Sequence, residues 1–289
     1  MASERSWKLL EILEETSRFF AARELSDARL QAELLLAAVL GVKRLDLYLQ
    51  FDRLLDADEV NLYRDYVRQR LKRTPFQYIV GEAAFRYLEL KVTADVLIPR
   101  PETEVLVDVA LDKASAIEAP RCLDLCCGSG AIALALAHER PGAVLVATDI
   151  SPQALAVAKD NGERCGLDER VEWLCSDLFN SLENKTFDLI VSNPPYVRHA
   201  DIDLLEPEVR DYEPHLALDG GADGLDCYRR IATEAARFLV PGGHLLFEVG
   251  DDQAEAVSEL VRQSGLYKGV EVVADLNDIP RIVVTCTPS

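Results

Sequence analysis

A mainly parallel α/β sheet with helices on both faces, preceded by a smaller helical domain, is the fold class that the sequence predicts. Three observations carry it. From about residue 120 onward, apolar runs of strand length alternate with stretches of helix length; such alternation builds parallel sheets, because each crossover needs a dozen or more residues. Before residue 85 the apolar spacing is helical. The charge divides in the same place: residues 1–85 hold 13 Lys and Arg against 14 Asp and Glu, and the rest holds 18 against 36. A split of that size suggests two domains with different partners.

The 289 residues are 49% hydrophobic and 28% charged, which suits a globular chain with a dry core. A net charge of −19 repels phosphate backbones at long range, so no direct nucleic-acid partner is expected. The longest apolar run, Leu34–Gly41, fits a buried helix and falls well short of the roughly 20 residues that span a bilayer. The opening Met-Ala-Ser-Glu-Arg has no apolar segment of signal type, so a cytoplasmic protein without membrane contact is expected. Seven cysteines without regular spacing and four scattered histidines predict reduced thiols and no metal site.

In the first part, Ser26 is positioned to cap a helix through Leu30, Leu34 and Ala37 that stops at Gly41. Asp56-x-x-Glu59 has the form of a capping box, after which Val60, Tyr63, Val67 and Leu71 recur at helical spacing. Arg64, Arg68 and Lys72 line a neighbouring face, which is either a solvated surface or a docking surface. Pro75 ends that run. The alternation in Tyr87–Val92 then predicts a strand, one arm of a hairpin, and an amphipathic helix begins at Glu102. The domains are therefore expected at 1–75, with a connector at 76–110 and the sheet domain at 111–289. Its strands are expected at Arg121–Leu125, Ala143–Thr148, Val171–Cys175, Asp188–Ser192, His244–Val249, Val270–Ala274 and Arg281–Thr285. The last two have only a short link and should pair antiparallel.

The first of these strands runs into Asp124-Leu-Cys-Cys-Gly-Ser-Gly130 and then a helix. Gly128 and Gly130 let backbone approach a ligand, and the helix N-terminus offers free N–H groups. Asp149 ends the second strand, where a carboxylate can accept from ribose hydroxyls. The dinucleotide fingerprint G-x-G-x-x-G is not met. The methyltransferase pattern acidic-x-G-x-G-x-G fits at Asp124, Gly128 and Gly130, with Cys126 standing where Gly is usual. Cys126 and Cys127 read as small packing residues rather than a redox pair. At the end of the third strand, Asp177 can accept from an adenine amino group, with Leu178 against the ring.

The fourth strand ends in Ser192-Asn-Pro-Pro-Tyr196. A planar amide nitrogen is a poor nucleophile because its lone pair is delocalised. Gripping both of its N–H bonds holds it in line with an electrophile. Asn193 offers a side-chain carbonyl, and Pro194 offers a backbone carbonyl without a competing N–H. Pro194 and Pro195 fix φ, and Tyr196 is expected to pack against the flat group.

Asn193-Pro-Pro-Tyr196 is the signature of methyltransferases acting on planar NH₂ groups. Together with Thr74–Gly81, Leu97-Ile-Pro-Arg-Pro-Glu-Thr-Glu-Val-Leu-Val107 and Arg210-Asp-Tyr-Glu-Pro-His-Leu-Ala-Leu218, it makes nearly the whole chain resemble the peptide chain release factor glutamine methyltransferases, the PrmC or HemK family. The resemblance implies a Rossmann-like class I S-adenosylmethionine-dependent methyltransferase domain with a small helical N-terminal domain and a β-hairpin connector. It also implies N5-methylation of the glutamine in the Gly-Gly-Gln motif of class I release factors by a monomeric enzyme. Asn193, Pro194, Pro195 and Tyr196 would hold the glutamine. Asp124, Cys126, Cys127, Gly128, Ser129, Gly130, Asp149, Ile150, Asp177, Leu178 and Asn193 would hold S-adenosylmethionine. Three rival readings share parts of this pattern: a glutamine methyltransferase acting on a large-subunit ribosomal protein, an adenine-N6 DNA methyltransferase, and a cofactor-binding module without catalysis.

Overall fold

A computed structural model describes residues 7–289, which form two compact units that divide between Gly81 and Glu82. The first unit holds β1 (Trp7–Lys8), α1 (Leu9–Ala21), α2 (Ala28–Leu40), β2 (Leu54–Leu55), α3 (Ala57–Leu71) and α4 (Phe76–Val80). Phe20, Leu35, Leu36, Leu47 and Tyr63 fill its core. The Asp56–Glu59 capping box starts α3, with Glu59 N–H donating to Asp56 Oδ1 at 2.8 Å and Asp56 N–H donating to Glu59 Oε2 at 3.0 Å. Gly41 closes α2 in the left-handed conformation, φ 62°. Ser26 does not cap α2. Asp27 stands at that position, itself left-handed, and makes no side-chain cap. Pro75 does more than end a run: it opens α4, which packs on α2 and α3, so the first unit reaches Gly81 instead of residue 75. Arg64 and Arg68 on α3 and Lys72 just past its end are exposed, and Arg68 pairs with Asp65 at 2.6 Å.

The second unit opens with a hairpin, β3 (Glu82–Phe85) and β4 (Leu88–Lys91), followed by α5 (Pro101–Lys113). The strands and helices after it are β5 (Arg121–Leu125), α6 (Ala131–Glu139), β6 (Val144–Asp149), α7 (Pro152–Arg164), β7 (Val171–Cys175) and β8 (Phe187–Ser192). Then come α8 (Pro207–Arg210), α9 (Asp226–Glu234), β9 (Leu239–Glu248), α10 (Ala254–Ser264), β10 (Lys268–Ala274) and β11 (Pro280–Cys286). Seven strands make one sheet in the order β10-β11-β9-β8-β5-β6-β7. The pairs among β9, β8, β5, β6 and β7 are parallel, and β11 is antiparallel to both β9 and β10. Strand order turns back beside β5, between β6 and β8, which is where open sheets of this kind leave a crevice at their carboxyl ends. The hairpin belongs to this unit. Its turn residue Arg86 reaches Glu104, Asp108 and Glu139, and Lys91 exchanges hydrogen bonds with Asn161 of α7. Among the described residues, no helix is long and apolar enough to cross a membrane.

Asn161 is fully buried, and its Nδ2 also donates to the carbonyl of Ser129 at 3.0 Å, tying the glycine loop to the hairpin. That loop turns on Gly130, at φ 80°. A Cβ there would stand 3.0 Å from the Trp173 ring and 3.2 Å from Ala158 Cβ. Gly130→Ala combines left-handed strain with that collision. It is expected to destabilise the protein by about 1–3 kcal/mol, read from urea unfolding; a midpoint equal to that of the parent chain would contradict the packing argument.

Candidate active site

The carboxyl ends of β5, β6, β7 and β8 open on a cavity of about 300 Å³. That volume is at the lower end of the range for small-ligand sites. Cys126, Cys127, Gly128 and Ser129 line it from the loop after β5, Asp149 and Ile150 from β6, Asp177 and Leu178 from the end of β7, and Asn193 and Pro195 from the end of β8. Four residues expected at the ligand do not line this cavity: Asp124, Gly130, Pro194 and Tyr196. Gly130 is buried against Trp173, and Pro194 is buried as well. Tyr196 packs into the core beneath α9 and α10, its ring beside Gly250, and its carbonyl accepts from Gln253 Nε2 at 2.9 Å. Burial pushes the Tyr196 phenol up to about 12. Its visible part is to hold the loop, in place of the expected stacking on a bound carboxamide.

Asp149 organises the rim. Its Oδ2 accepts from Gly128 N–H and its Oδ1 from Ser151 N–H, both at 2.9 Å. One carboxylate thus sets the glycine loop against the start of α7, with lone pairs left over for a ligand. Burial raises its pKa, and the two backbone bonds work against that rise. Gly128, at φ 53°, has nothing within 4 Å of where a Cβ would stand, so its backbone forms a bare wall for a close-lying ligand. Cys126 and Leu178 are also left-handed, at φ 61° and 49°. Non-glycine residues reach that region only when the surroundings force them, and such strain collects at functional sites. Ser176 holds the second of these turns: its hydroxyl donates to the Leu178 carbonyl at 2.8 Å and accepts from Ser181 N–H at 3.0 Å. Burial drives the Cys126 and Cys127 thiols well above their usual range, which removes the thiolate that redox chemistry needs.

Two further segments close the cavity. Val96, Leu97, Pro99, Arg100 and Thr103 line one side, and Pro214, Leu216, Ala217 and Asp219 another. They are joined by Arg100, whose Nη2 donates to both oxygens of the buried Glu213 at 2.7 Å. Asn193 Nδ2 donates to Thr103 Oγ1 at 3.2 Å, which leaves its Oδ1 as the available acceptor.

Comparison with known proteins shows the family to which the chain belongs. Residues 11–81 match the family described as the PrmC N-terminal domain, and residues 101–222 match the methyltransferase small domain. A release factor glutamine methyltransferase of Geobacter sulfurreducens is 45% identical over 277 residues, covering 96% of each chain. One from Chlorobaculum tepidum is 41% identical over 290 residues, covering 97% of this chain and 98% of its own. The chain belongs to the release factor glutamine methyltransferase family. A methyltransferase from Pyrococcus furiosus shares its fold, with TM-score 0.52, 17% identity and coverage of 71% and 92%.

Three of the four segments that carried the resemblance, 97–107, 193–196 and 210–218, supply walls of the cavity, while Thr74–Gly81 lies in the first unit and does not line it. Arg100, Thr103, Glu213, Arg230 and Glu248 were not singled out from the sequence. The first three sit inside the quoted motifs, so a signal existed. Arg230 and Glu248 lie in ordinary helix and strand text, and only the fold brings Arg230 Nη1 within 2.8 Å of Asp177 Oδ1. Asp124 has a different task from the one expected. It is fully buried under the loop, where its Oδ2 accepts from Ala133 N–H at 3.0 Å and its Oδ1 has no partner among the described residues.

Burial raises the Asp124 carboxyl to about 8, far above the roughly 3.9 of an unfolded chain. Between those values the folded state binds the extra proton, so stability falls as pH rises. The contribution is complete below the unfolded value and lost above the folded one. Asn cannot ionise, so Asp124→Asn should gain on the parent chain between about pH 4 and pH 8. Urea midpoints across that range check this; a pH-independent gap between the two proteins would contradict it.

Proposed function

We propose that the cavity holds S-adenosylmethionine along the glycine loop, Asp149 and Asp177, and a glutamine side chain at Asn193. The substrate is the glutamine of the Gly-Gly-Gln motif in bacterial class I release factors, methylated at its side-chain nitrogen. The enzyme works in the cytoplasm as a monomer on a protein partner, without a membrane or nucleic acid. The first unit, up to Gly81, docks that partner through the Arg64, Arg68 and Lys72 face, and the second unit, from Glu82 onward, carries out the transfer. The observation that carries the reading is the acceptor left at Asn193 Oδ1 on the wall that also holds the bare Gly128 backbone.

The residues fit the cofactor on their own chemistry. Asp149 has acceptor capacity beyond its two backbone bonds, suited to ribose hydroxyls. Asp177 shares an ion pair with Arg230 and keeps an oxygen for an adenine amine. Leu178 and Ile150 supply apolar wall. When bound, S-adenosylmethionine supplies a methyl carbon made electrophilic by a sulfonium sulfur. The protein's part is to hold the glutamine NH₂. Asn193 Oδ1 accepts one N–H, and the backbone of the Pro-Pro turn is fixed to accept the other. Each bond is worth about 0.5–1.5 kcal/mol net. Most of the acceleration therefore comes from orientation, for which about 7–11 kcal/mol is available. With the cofactor held along the glycine loop, Asp149 and Asp177, Asn193 and the Pro-Pro turn would keep the glutamine nitrogen in line with the sulfonium methyl, and the nitrogen, N-protonated and strongly acidic once methylated, would give its extra proton to water.

Asn193→Ala is expected to lower kcat about 10- to 100-fold while calorimetry finds cofactor affinity within twofold of the parent, about the scatter of such measurements. Asp149→Ala should do the reverse, weakening cofactor binding by about 1.5–3 kcal/mol. Radiolabelled methyl transfer to purified release factor is the assay. Label that persists after the target Gln is changed to Glu would overturn the assignment of the accepting atom.

A further inference from the structure

We propose that Thr103 and Glu248 form a hydrogen-bond relay that fixes the Asn193 amide with its oxygen toward the glutamine, making both of them positioning residues. The proposal rests on the glutamine-holding role of Asn193. Parallel pairing of β8 with β9 sets Ser192 beside Phe247, so the next residues, Asn193 and Glu248, emerge together at the sheet edge. Glu248 is 2% exposed and Thr103 is 5% exposed. Asn193 Nδ2 donates to Thr103 Oγ1 at 3.2 Å, and the Glu248 carboxyl lies beside both side chains. Glu248 Oε2 has no partner among the described residues. A buried carboxyl left so sparsely paired is costly to keep for packing alone.

The direction of the relay follows from proton counting. A carboxylate has no proton to give, so the Thr103 hydroxyl donates to Glu248. Its lone pairs then face Asn193, which can meet them only with NH₂. The amide oxygen is left for the cavity. A protonated Glu248 inverts the chain: its O–H donates to Thr103, the Thr103 proton is freed for Asn193, and the amide is stabilised with NH₂ outward. A donor then faces the NH₂ of the glutamine, and the grip is lost.

The surroundings set where this happens. Burial raises Glu248 to about 7; the Thr103 hydrogen bond, Arg281 of β11 and Asn193 oppose that rise, and Glu102 of α5 adds to it. Arg281 is itself shared with Asp251 and Asp275. The Tyr196 and Tyr228 phenols also lie near, and Tyr228 Oη donates to the Glu248 carbonyl at 2.7 Å. Both phenols are held up by burial and stay neutral through neutrality.

The experiment is kcat against pH for the full chain with purified release factor, alongside calorimetric cofactor affinity as a check of folding. In the parent chain kcat should fall about tenfold from pH 8 to pH 6, with an apparent pKa near 7. Glu248→Gln should flatten that limb to less than about twofold. Thr103→Val should lower kcat about tenfold or more without weakening the cofactor, and Thr103→Ser should restore it. Parent-level kcat in Thr103→Val, or an unaltered acid limb in Glu248→Gln, overturns the relay. Asn193→Ala separates the two ideas: if it is inactive while the relay variants behave like the parent, the grip stands and the relay falls. If Asn193→Ala is fully active, both fall.

Discussion

The site depends on one carboxylate. Asp149 accepts from Gly128 N–H and Ser151 N–H, and so joins the first crossover loop to the beginning of the next helix. The loop cannot take its shape from local preference alone. It needs positive φ at Cys126, Gly128 and Gly130, and only two of these are glycine. Charge-assisted bonds to backbone N–H groups, worth about 1.5–3 kcal/mol each, are of the size needed to hold a non-glycine residue in that region. Asn161 then fastens the loop from behind through the Ser129 carbonyl, and Gly130 locks it against Trp173. Remove the anchor, and the bare wall at Gly128 has nothing to keep it facing the cavity.

Other parts of the cavity are assembled by long-range pairs for the same reason. The loops that carry Arg100 and Glu213 contain little regular structure, and neither could fix a wall on its own. Their two-oxygen ion pair spans 113 positions of sequence and buries the carboxylate. A buried pair of this kind is weak support for stability, because desolvation cancels much of the attraction. It is strong support for geometry, because breaking it leaves a charge uncompensated. The site is therefore defined by what its members lose when separated.

These dependencies explain what the sequence could reveal. The strand–helix alternation was legible because buried parallel strands are apolar runs, and Arg121–Leu125 and Val171–Cys175 fall where the pattern put them. The Asp56 capping box and the Gly41 stop were legible because each is a local bond or a local φ. The Ser26 cap failed on a one-residue competition, since the chain reaches helical geometry through a left-handed Asp27. The motif loops were found because Gly, Asn and Pro punctuate strand ends. Which motif side chains face the cavity was not legible. Asp124 turns under the loop to meet Ala133 N–H nine residues on, and Tyr196 turns toward α10, where Gln253, 57 residues away, binds its carbonyl. Arg230 and Glu248 carry no local mark because their neighbours come from other elements distant in sequence.

The acidic balance of the sheet domain takes on a sharper meaning once those carboxyls are located. Asp124, Asp149, Glu213 and Glu248 are all raised by burial, and they lie under or around one cavity. Desolvation makes each of them reluctant to ionise, and the same low dielectric amplifies their attraction for a cation. A sulfonium bearing an amino group brings positive charge into that field; its demethylated thioether product brings less. At the proposed cofactor site, a sulfonium would favour the ionised form of these carboxyls more than a neutral thioether would. Discrimination between substrate and product of the transfer can then arise from the charge of the cavity as a whole, without any single residue that touches the methyl group.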